Sequence, residues 1–458
     1  MEPAGHNDDE DDSQQEDVMA ETTIVTIKGR QILDSRGRPT VEADVELRGG
    51  AIGRASVPSG ASTSQAEAHE LRDADASQYF GRGVGRAVGN LRGEIAATVT
   101  GHDAEDQAGL DRRMRDLDGT AQLERLGANA ILAVSLAACR AVAAAKKQPL
   151  YRRIADLTGT KTPMLPLPMV NIFSGGLHAG RGMDLQDFLA IPLSATDYAS
   201  ALHAIVKVRD AAEGVVHRHG APVLLADEGG LSPGCRSAEI ALELIVEAIE
   251  RAGYKPGQDI GIAIDVAATS LVGADGRYHL AREERDYSSA QMIETVERWV
   301  RKFPIVSVED GLHDEDWSHW PELTKRLHHI QVVGDDLFST NPARIRRGIE
   351  IGAANSSLIK VNQNGTLSGT FEAIATSHRA GYATVISARS GETADSFIAD
   401  LAVGALGGQI KSGSVRNMER LEKYNQLLRI AEDSEVGYAG TRYLAGEARK
   451  PAAQVAIA

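Results

Sequence analysis

The stretch Ser357-Leu358-Ile359-Lys360-Val361-Asn362-Gln363 decides how the chain reads, because it is a short apolar run that stops on a lysine. The pattern recurs on both sides. Upstream, Val332-Val333-Gly334 stops at Asp335-Asp336, Ile305-Val306-Ser307-Val308 at Glu309-Asp310, Ile262-Ala263-Ile264 at Asp265, and Val223-Leu224-Leu225-Ala226 at Asp227-Glu228. Downstream, Val385-Ile386-Ser387 runs into Ala388-Arg389-Ser390, and Gln409-Ile410 into Lys411. Short apolar runs separated by helix-length polar segments describe a parallel sheet buried on both faces. If that sheet closes into a β/α barrel, every run end falls on one face, where such barrels carry their active sites. An acid after a strand is often only the N-cap of the next helix. Capping explains any one of these acids, but not three carboxylates and two lysines together. Asp265, Glu309 and Asp335 converging would form an all-oxygen site suited to a hard divalent cation, Mg²⁺.

At 458 residues the chain exceeds one ordinary domain, since a barrel uses only ~250 of them. Two domains and a tail are expected. A hydrophobic content of 42% with few aromatics suits layered α/β packing. The formal net charge is −15, but the first 21 residues carry nine acids and no lysine or arginine. Without them the balance is about −6, which argues against nucleic-acid or anionic-membrane binding. Cys139, inside an expected helix, and Cys235, in an expected loop, form no CxxC pair, which fits a reducing cytoplasm without disulfides or a zinc site. The N-terminus lacks the basic and apolar regions of a signal peptide. The most apolar stretch, 128–138, is too short to cross a bilayer. A soluble cytoplasmic protein is the expectation.

In chain order, residues 1–21 read as a disordered acidic tail. Segments 22–27, 40–47 and 51–57, with turns at Asp34-Ser35-Arg36-Gly37 and Gly49-Gly50, read as a three-stranded antiparallel meander. Helical patterns follow over 84–98, 103–117 and 128–147, with Pro149 closing the last. This gives a small α+β domain over 22–160. Proline-rich 162–169 leads into a barrel domain over 161–445, with helices at 198–219, 237–252, 290–302, 342–352 and 368–380, and a tail over 446–458. The glycines at Gly81, Gly83 and Gly85 lack both a preceding strand and a third glycine at Arg86, so they read as a turn before a helix rather than a dinucleotide fingerprint.

The loop Val57-Pro58-Ser59-Gly60-Ala61-Ser62-Thr63 is, taken singly, a Ser/Gly turn. It stands in order with Asp34-Ser35-Arg36-Gly37, Gly127-Ala128-Asn129-Ala130, Asp227-Glu228-Gly229-Gly230, Val308-Glu309-Asp310, Gly334-Asp335-Asp336-Leu337, Lys360-Val361-Asn362-Gln363, Arg389-Ser390-Gly391-Glu392-Thr393, Gln409-Ile410-Lys411 and Lys423-Tyr424-Asn425-Gln426. In that order and spacing the chain resembles an enolase (phosphopyruvate hydratase) from about residue 22 to 440. The resemblance implies that Asp265, Glu309 and Asp335 bind Mg²⁺, with Ser62 completing a second Mg²⁺ site when substrate binds. It makes Lys360 the general base, Glu228 the general acid and Lys411 a contact to the substrate carboxylate. Arg389 and Ser390 match phosphate binders, Gln186 and His178 match pocket residues, and a homodimer or larger assembly is implied. A lysine base with Mg²⁺ is the known arrangement of enolase-type sites. The chemistry needs it, because removing a proton α to a carboxylate creates a dianion that fixed positive charge must stabilise. Lys360 must be neutral to act as base, which calls for a pKa lowered by burial and nearby cations. Glu228 must hold a proton.

The chain departs from the family pattern mainly on the side where hydroxyl leaves. Asp187 stands where the family has glutamate, Ala388 where it has histidine, and the large apolar Leu177 where a small or polar residue is usual; Asn364 also replaces an apolar residue. Three readings follow. One is an enolase converting 2-phosphoglycerate to phosphoenolpyruvate. Another is an enolase-derived enzyme of specialised metabolism with a larger substrate, for example forming carboxyphosphonoenolpyruvate on a route to a phosphinate natural product. The third, a non-catalytic binding or structural role, is opposed by the intact Lys360, Glu228 and metal carboxylates.

Overall fold

The computed structural model describes residues 21–60 and 64–446. The expected tails, apart from Glu21 and Gly446, and Ser62 of the small-domain loop lie outside the described residues.

The meander forms from Ile24–Leu33, Pro39–Leu47 and Ile52–Ser56, antiparallel in that order. Its first strand runs six residues past the expected end at Ile27, because from Thr26 opposite Glu46 to Leu33 opposite Pro39 it pairs continuously with the second strand. The turn between them is held by Asp34, whose Oδ1 accepts the backbone N–H groups of Arg36 and Arg38, each at 2.8 Å. The buried face of the sheet, Val41, Ala43, Val45 and Ala55, packs on helix Ala128–Ala145. That contact is close enough that a Cβ on Gly53 would sit 2.0 Å from the Ala137 carbonyl.

The helix Ala128–Ala145 is predominantly apolar over 18 residues, with Arg140 its one charge, so by length and composition it could cross a membrane, which the shorter stretch 128–138 could not. It is instead 83% buried inside the protein, as the core of the small domain. Burial on nearly every side is what so hydrophobic a helix requires.

In the second domain eight strands close a barrel: Leu167–Ser174, Asp187–Pro192, Ile260–Asp265, Ile305–Glu309, Gln331–Gly334, Ser356–Ile359, Ala383–Ser387 and Gln409–Lys411, the last pairing back with the first. Two expectations are corrected. The sheet is not wholly parallel, because Asp187–Pro192 runs antiparallel to both of its neighbours. A parallel return needs a crossover, usually a helix, and the link from Ser174 carries only the short turn Gly176–Ala179. In addition, Val223-Leu224-Leu225-Ala226 is not a barrel strand. It is a half-exposed loop, with only Leu225 bridged to Leu231. The proline-rich entry segment supplies the missing strand instead, with Pro168 inside Leu167–Ser174.

The strand period of two explains what the barrel presents. Its inner layer is Leu167, Met169, Leu189, Ile191, Ala263, Val333, Leu358 and Val385. Side chains along a strand face the same way at every second residue. Two residues beyond this layer lie Asn171, Asp265, Asp335, Lys360 and Ser387; Asp187 takes the same place on the reversed strand, and Glu309 and Lys411 follow buried Ser307 and Gln409. Every strand therefore lifts a polar group onto one rim over an apolar plug.

Candidate active site

On that rim the acids and lysines alternate. Lys411 Nζ lies 2.8 Å from Asp265 Oδ2 and 2.7 Å from Glu309 Oε2, so one ammonium bridges two carboxylates. Lys360 donates to Asp335 Oδ2, whose other oxygen accepts Gln363 Nε2 at 3.1 Å. Asp265 is further fixed by Gln186 Nε2 at 3.0 Å and by the backbone N–H of Ala267 at 3.0 Å. All of these side chains are nearly or wholly buried.

Burial together with the neighbouring Asp265 charge pushes the Glu309 carboxyl well above its ordinary range, with Lys411 pulling the other way. Burial would also raise Asp335, but the Lys360 ammonium outweighs it and holds Asp335 low. Lys360 shows the reciprocal effect. Burial would lower it, yet Asp335 outweighs that and raises it. The lowered Lys360 pKa expected for a base is therefore not present while Asp335 is its counter-charge. The donor set fits a hard divalent cation: Asp265, Glu309 and Asp335 offer only oxygens, and Glu309 Oε1 is buried without a partner.

The opposite wall gathers His178, Asp187 and Glu228. Glu228 reaches the rim on the tight loop Ala226–Gly230, closed by Ala226 N–H to the Gly230 carbonyl at 2.9 Å and tied to the first barrel strand through Leu231. Asn171 joins the two acids, its Nδ2 donating to Asp187 Oδ1 at 2.7 Å and to Glu228 Oε2 at 3.2 Å. Ser174 Oγ also donates to Asp187 Oδ1, at 2.7 Å. Burial, with the Glu228 charge beside it, drives Asp187 well above the usual carboxylate range. Burial would lift Glu228 too, but Arg420, with His178 and Lys411 behind it, holds it below its ordinary value. The two acids are thus shifted in opposite directions, Asp187 up and Glu228 down.

The third wall is Arg389 and Ser390. Arg420, fully buried, donates to both of their carbonyls at 2.7 Å, which fixes the turn. Ser390 Oγ accepts Arg36 Nη1 at 3.0 Å from the small domain. Arg389 Nη1 pairs with Glu67 Oε2 at 2.9 Å and with Asn362 Oδ1 at 3.0 Å. Gly60 lies against this guanidinium, since a Cβ there would be 1.9 Å from Arg389 Nη2. Ala388 puts only a methyl group on the wall of the cavity that His178, Asp187, Glu228, Lys360, Arg389 and Lys411 also line.

Apart from Ser62, which is outside the described residues, the structure brings every predicted site residue to this one cavity or its immediate shell. Sequence reasoning missed Asn171, Ser174, Glu67, Arg420 and Gln363. Asn171 left a signal, because it is a polar residue inside the apolar run Leu167-Pro168-Met169-Val170-Asn171-Ile172-Phe173, at the strand period from Met169. Glu67 and Arg420 left none, as their partners lie 322 and 30–31 residues away in sequence.

Two family descriptions match the chain: "Enolase, N-terminal domain" over residues 24–154 and "Enolase, C-terminal TIM barrel domain" over residues 162–447. Together they span both structural units just described. With a meander domain set against an eight-stranded barrel whose rim carries these acids and lysines, this chain belongs to the enolase family.

Proposed function

We propose that this enolase-family lyase is a Mg²⁺-dependent carbon–oxygen lyase. It removes the α-proton of 2-phosphoglycerate or a close analogue and expels water, giving a phosphoenolpyruvate-type product. The observation that carries the reading is the opposition across one cavity of Lys360 and Lys411, among three carboxylates, to the Asp187–Glu228 pair. Mg²⁺ held by Asp265, Glu309 and Asp335 would supply the positive charge that a developing carboxylate dianion needs.

Lys360 is the proton acceptor. With Asp335 engaged elsewhere, the burial and the Arg389 and Lys411 charges around Lys360 favour its neutral amine. Lys411 holds the substrate carboxylate, and Arg389 with Ser390 holds the phosphate. Across the cavity Glu228 is the general acid; coupled to Asp187 through Asn171, it shares with it the proton that leaves with hydroxide, and the two titrate as one unit. A cytoplasmic homodimer or larger assembly belongs to the same proposal.

A second reading rests on Ala388. Its methyl group leaves room beside Arg389 and Ser390, and Asp187 is drawn back onto Asn171 and Ser174. Both features favour a bulkier substrate, such as one leading to carboxyphosphonoenolpyruvate. The test is turnover of 2-phosphoglycerate with Mg²⁺ by the wild type beside the Asp187→Glu/Ala388→His double variant. Turnover by the wild type at rates ordinary for enolases sinks the second reading. If neither protein turns over while the wild type still exchanges the α-proton with solvent, the second reading gains.

A further inference from the structure

The small domain sends one acid into the wall of the barrel mouth. Glu67 is 8% exposed, and its two carboxylate oxygens serve different partners. Oε2 accepts Arg389 Nη1 at 2.9 Å, whereas Oε1 accepts Gln363 Nε2 at 3.3 Å. The Gln363 amide passes the link on. Its Nε2 also donates to Asp335 Oδ1 at 3.1 Å, and its Oε1 accepts Thr340 Oγ1 at 2.7 Å. Thr340 Oγ1 in turn accepts the backbone N–H of Lys360 at 2.9 Å. Arg389, Glu67, Gln363 and Asp335 therefore form one chain across the rim, with a branch to Lys360.

For holding an anion alone this arrangement is a poor one. A carboxylate beside Arg389 repels a phosphate, and it already takes Nη1 at 2.9 Å with Nη2 at 3.4 Å. Arg389 does need a counter-charge, since burial would lower its pKa and Glu67 does most to raise it. One oxygen meets that need. The other, on Gln363, fixes the amide against which Asp335 and, through Thr340, Lys360 are aligned, and hydrogen bonds linked in this way restrain one another.

We propose that Glu67 is a positioning residue that weakens phosphate binding at Arg389 while aligning Lys360 and Asp335 with it. The inference rests on the reading that Arg389 holds the substrate phosphate. Glutamine at this position offers one acceptor oxygen in place of two and no charge, so it serves Arg389 or Gln363 but not both. Aspartate keeps the charge and is one methylene too short to span them. The segment is tied down apart from this side chain, by Ala68 N–H to the Gln363 carbonyl at 2.8 Å and Asn362 Nδ2 to the Pro58 carbonyl at 3.1 Å, so both variants are expected to fold.

The test has two arms on the full chain. Binding of inorganic phosphate is measured by ³¹P NMR in EDTA, for wild type, Glu67→Gln, Glu67→Asp and Arg389→Met. Exchange of the α-proton of 2-phosphoglycerate is measured with Mg²⁺ at saturating substrate. Glu67→Gln should bind phosphate about 10-fold more tightly than wild type, through loss of a like charge, yet exchange about 10- to 100-fold more slowly. Glu67→Asp should match the wild type in phosphate affinity and share the slow exchange. A side chain that merely supported Arg389 would instead weaken phosphate binding in both variants. That result overturns the proposal, as does exchange at the wild-type rate in Glu67→Gln. Arg389→Met separates the two failures. If it binds phosphate as well as the wild type, or the wild type binds none, the assignment of Arg389 to the phosphate falls and this inference with it; if it loses phosphate while Glu67→Gln does not gain, the inference alone falls.

Discussion

Replacing Lys411 with methionine keeps most of its volume and removes one charge from a place where that charge serves two acids. Its ammonium sits 2.8 Å from Asp265 and 2.7 Å from Glu309, with the three side chains 3–7% exposed. Removing one partner from a buried ion pair costs ~3–5 kcal/mol. Glu309 already tends toward its protonated form, which lets the site neutralise part of the loss, so the lower end, ~3 kcal/mol, is expected. That is roughly a hundredfold change in the folding equilibrium. Urea unfolding in EDTA should show it as a lower midpoint. Added Mg²⁺ then replaces the missing counter-charge. At about 100 times its dissociation constant, a ligand of the native state contributes ~2.7 kcal/mol. The variant should therefore recover most of its stability with Mg²⁺, and gain more from it than the wild type, whose carboxylates already have a cation. The reasoning fails if the variant unfolds in EDTA at the wild-type midpoint, or if Mg²⁺ raises both midpoints equally.

Asp400, buried in helix Phe397–Gly404, is pushed up from 3.8 to about 6 by burial. The native state then holds this proton more tightly than the unfolded chain, so stability from this group falls as pH rises from about 4 to 6 and is level above that. Asp400→Asn should be more stable than wild type at pH 7 by up to ~3 kcal/mol, with the difference vanishing near pH 4; a difference independent of pH contradicts the assignment. Gly60→Ala forces the Arg389 guanidinium, pinned by Glu67 and Asn362, out of place. Displacement by about 1 Å should lower kcat/KM by ~100-fold with little change in unfolding midpoint, and unchanged kinetics would show that Arg389 does not hold substrate.

The barrel was legible in the sequence because its inner layer and its rim are two residues apart in each strand. An apolar run ending on a charge is that geometry written in one dimension, as in Leu358 and Lys360 or Ala263 and Asp265. The same rule misled at Val223–Ala226, where Val223, Leu224 and Leu225 precede Glu228 but are half-exposed, because Glu228 arrives on a loop. Leu167–Ser174 was hidden by prolines, and Asp187 by the reversed strand, where the charge comes before the apolar run instead of after it. The family resemblance located the site residues that no local pattern marks, such as His178 and Ser390. It gave no sign of the opposite shifts of Asp187 and Glu228, since those depend on burial and on Arg420 across the fold.

The central claim is that a neutral Lys360 takes the α-proton once a divalent cation occupies the three carboxylates. Its most direct measurement is the exchange of the α-proton of 2-phosphoglycerate in D₂O, followed by proton NMR with Mg²⁺ present, for wild type and Lys360→Met. The account predicts exchange by the wild type, whether or not product forms, and loss of about 10²–10⁴-fold in the variant, the usual contribution of a positioned base. Exchange at equal rates in both proteins, or none in the Mg²⁺-loaded wild type, would contradict it.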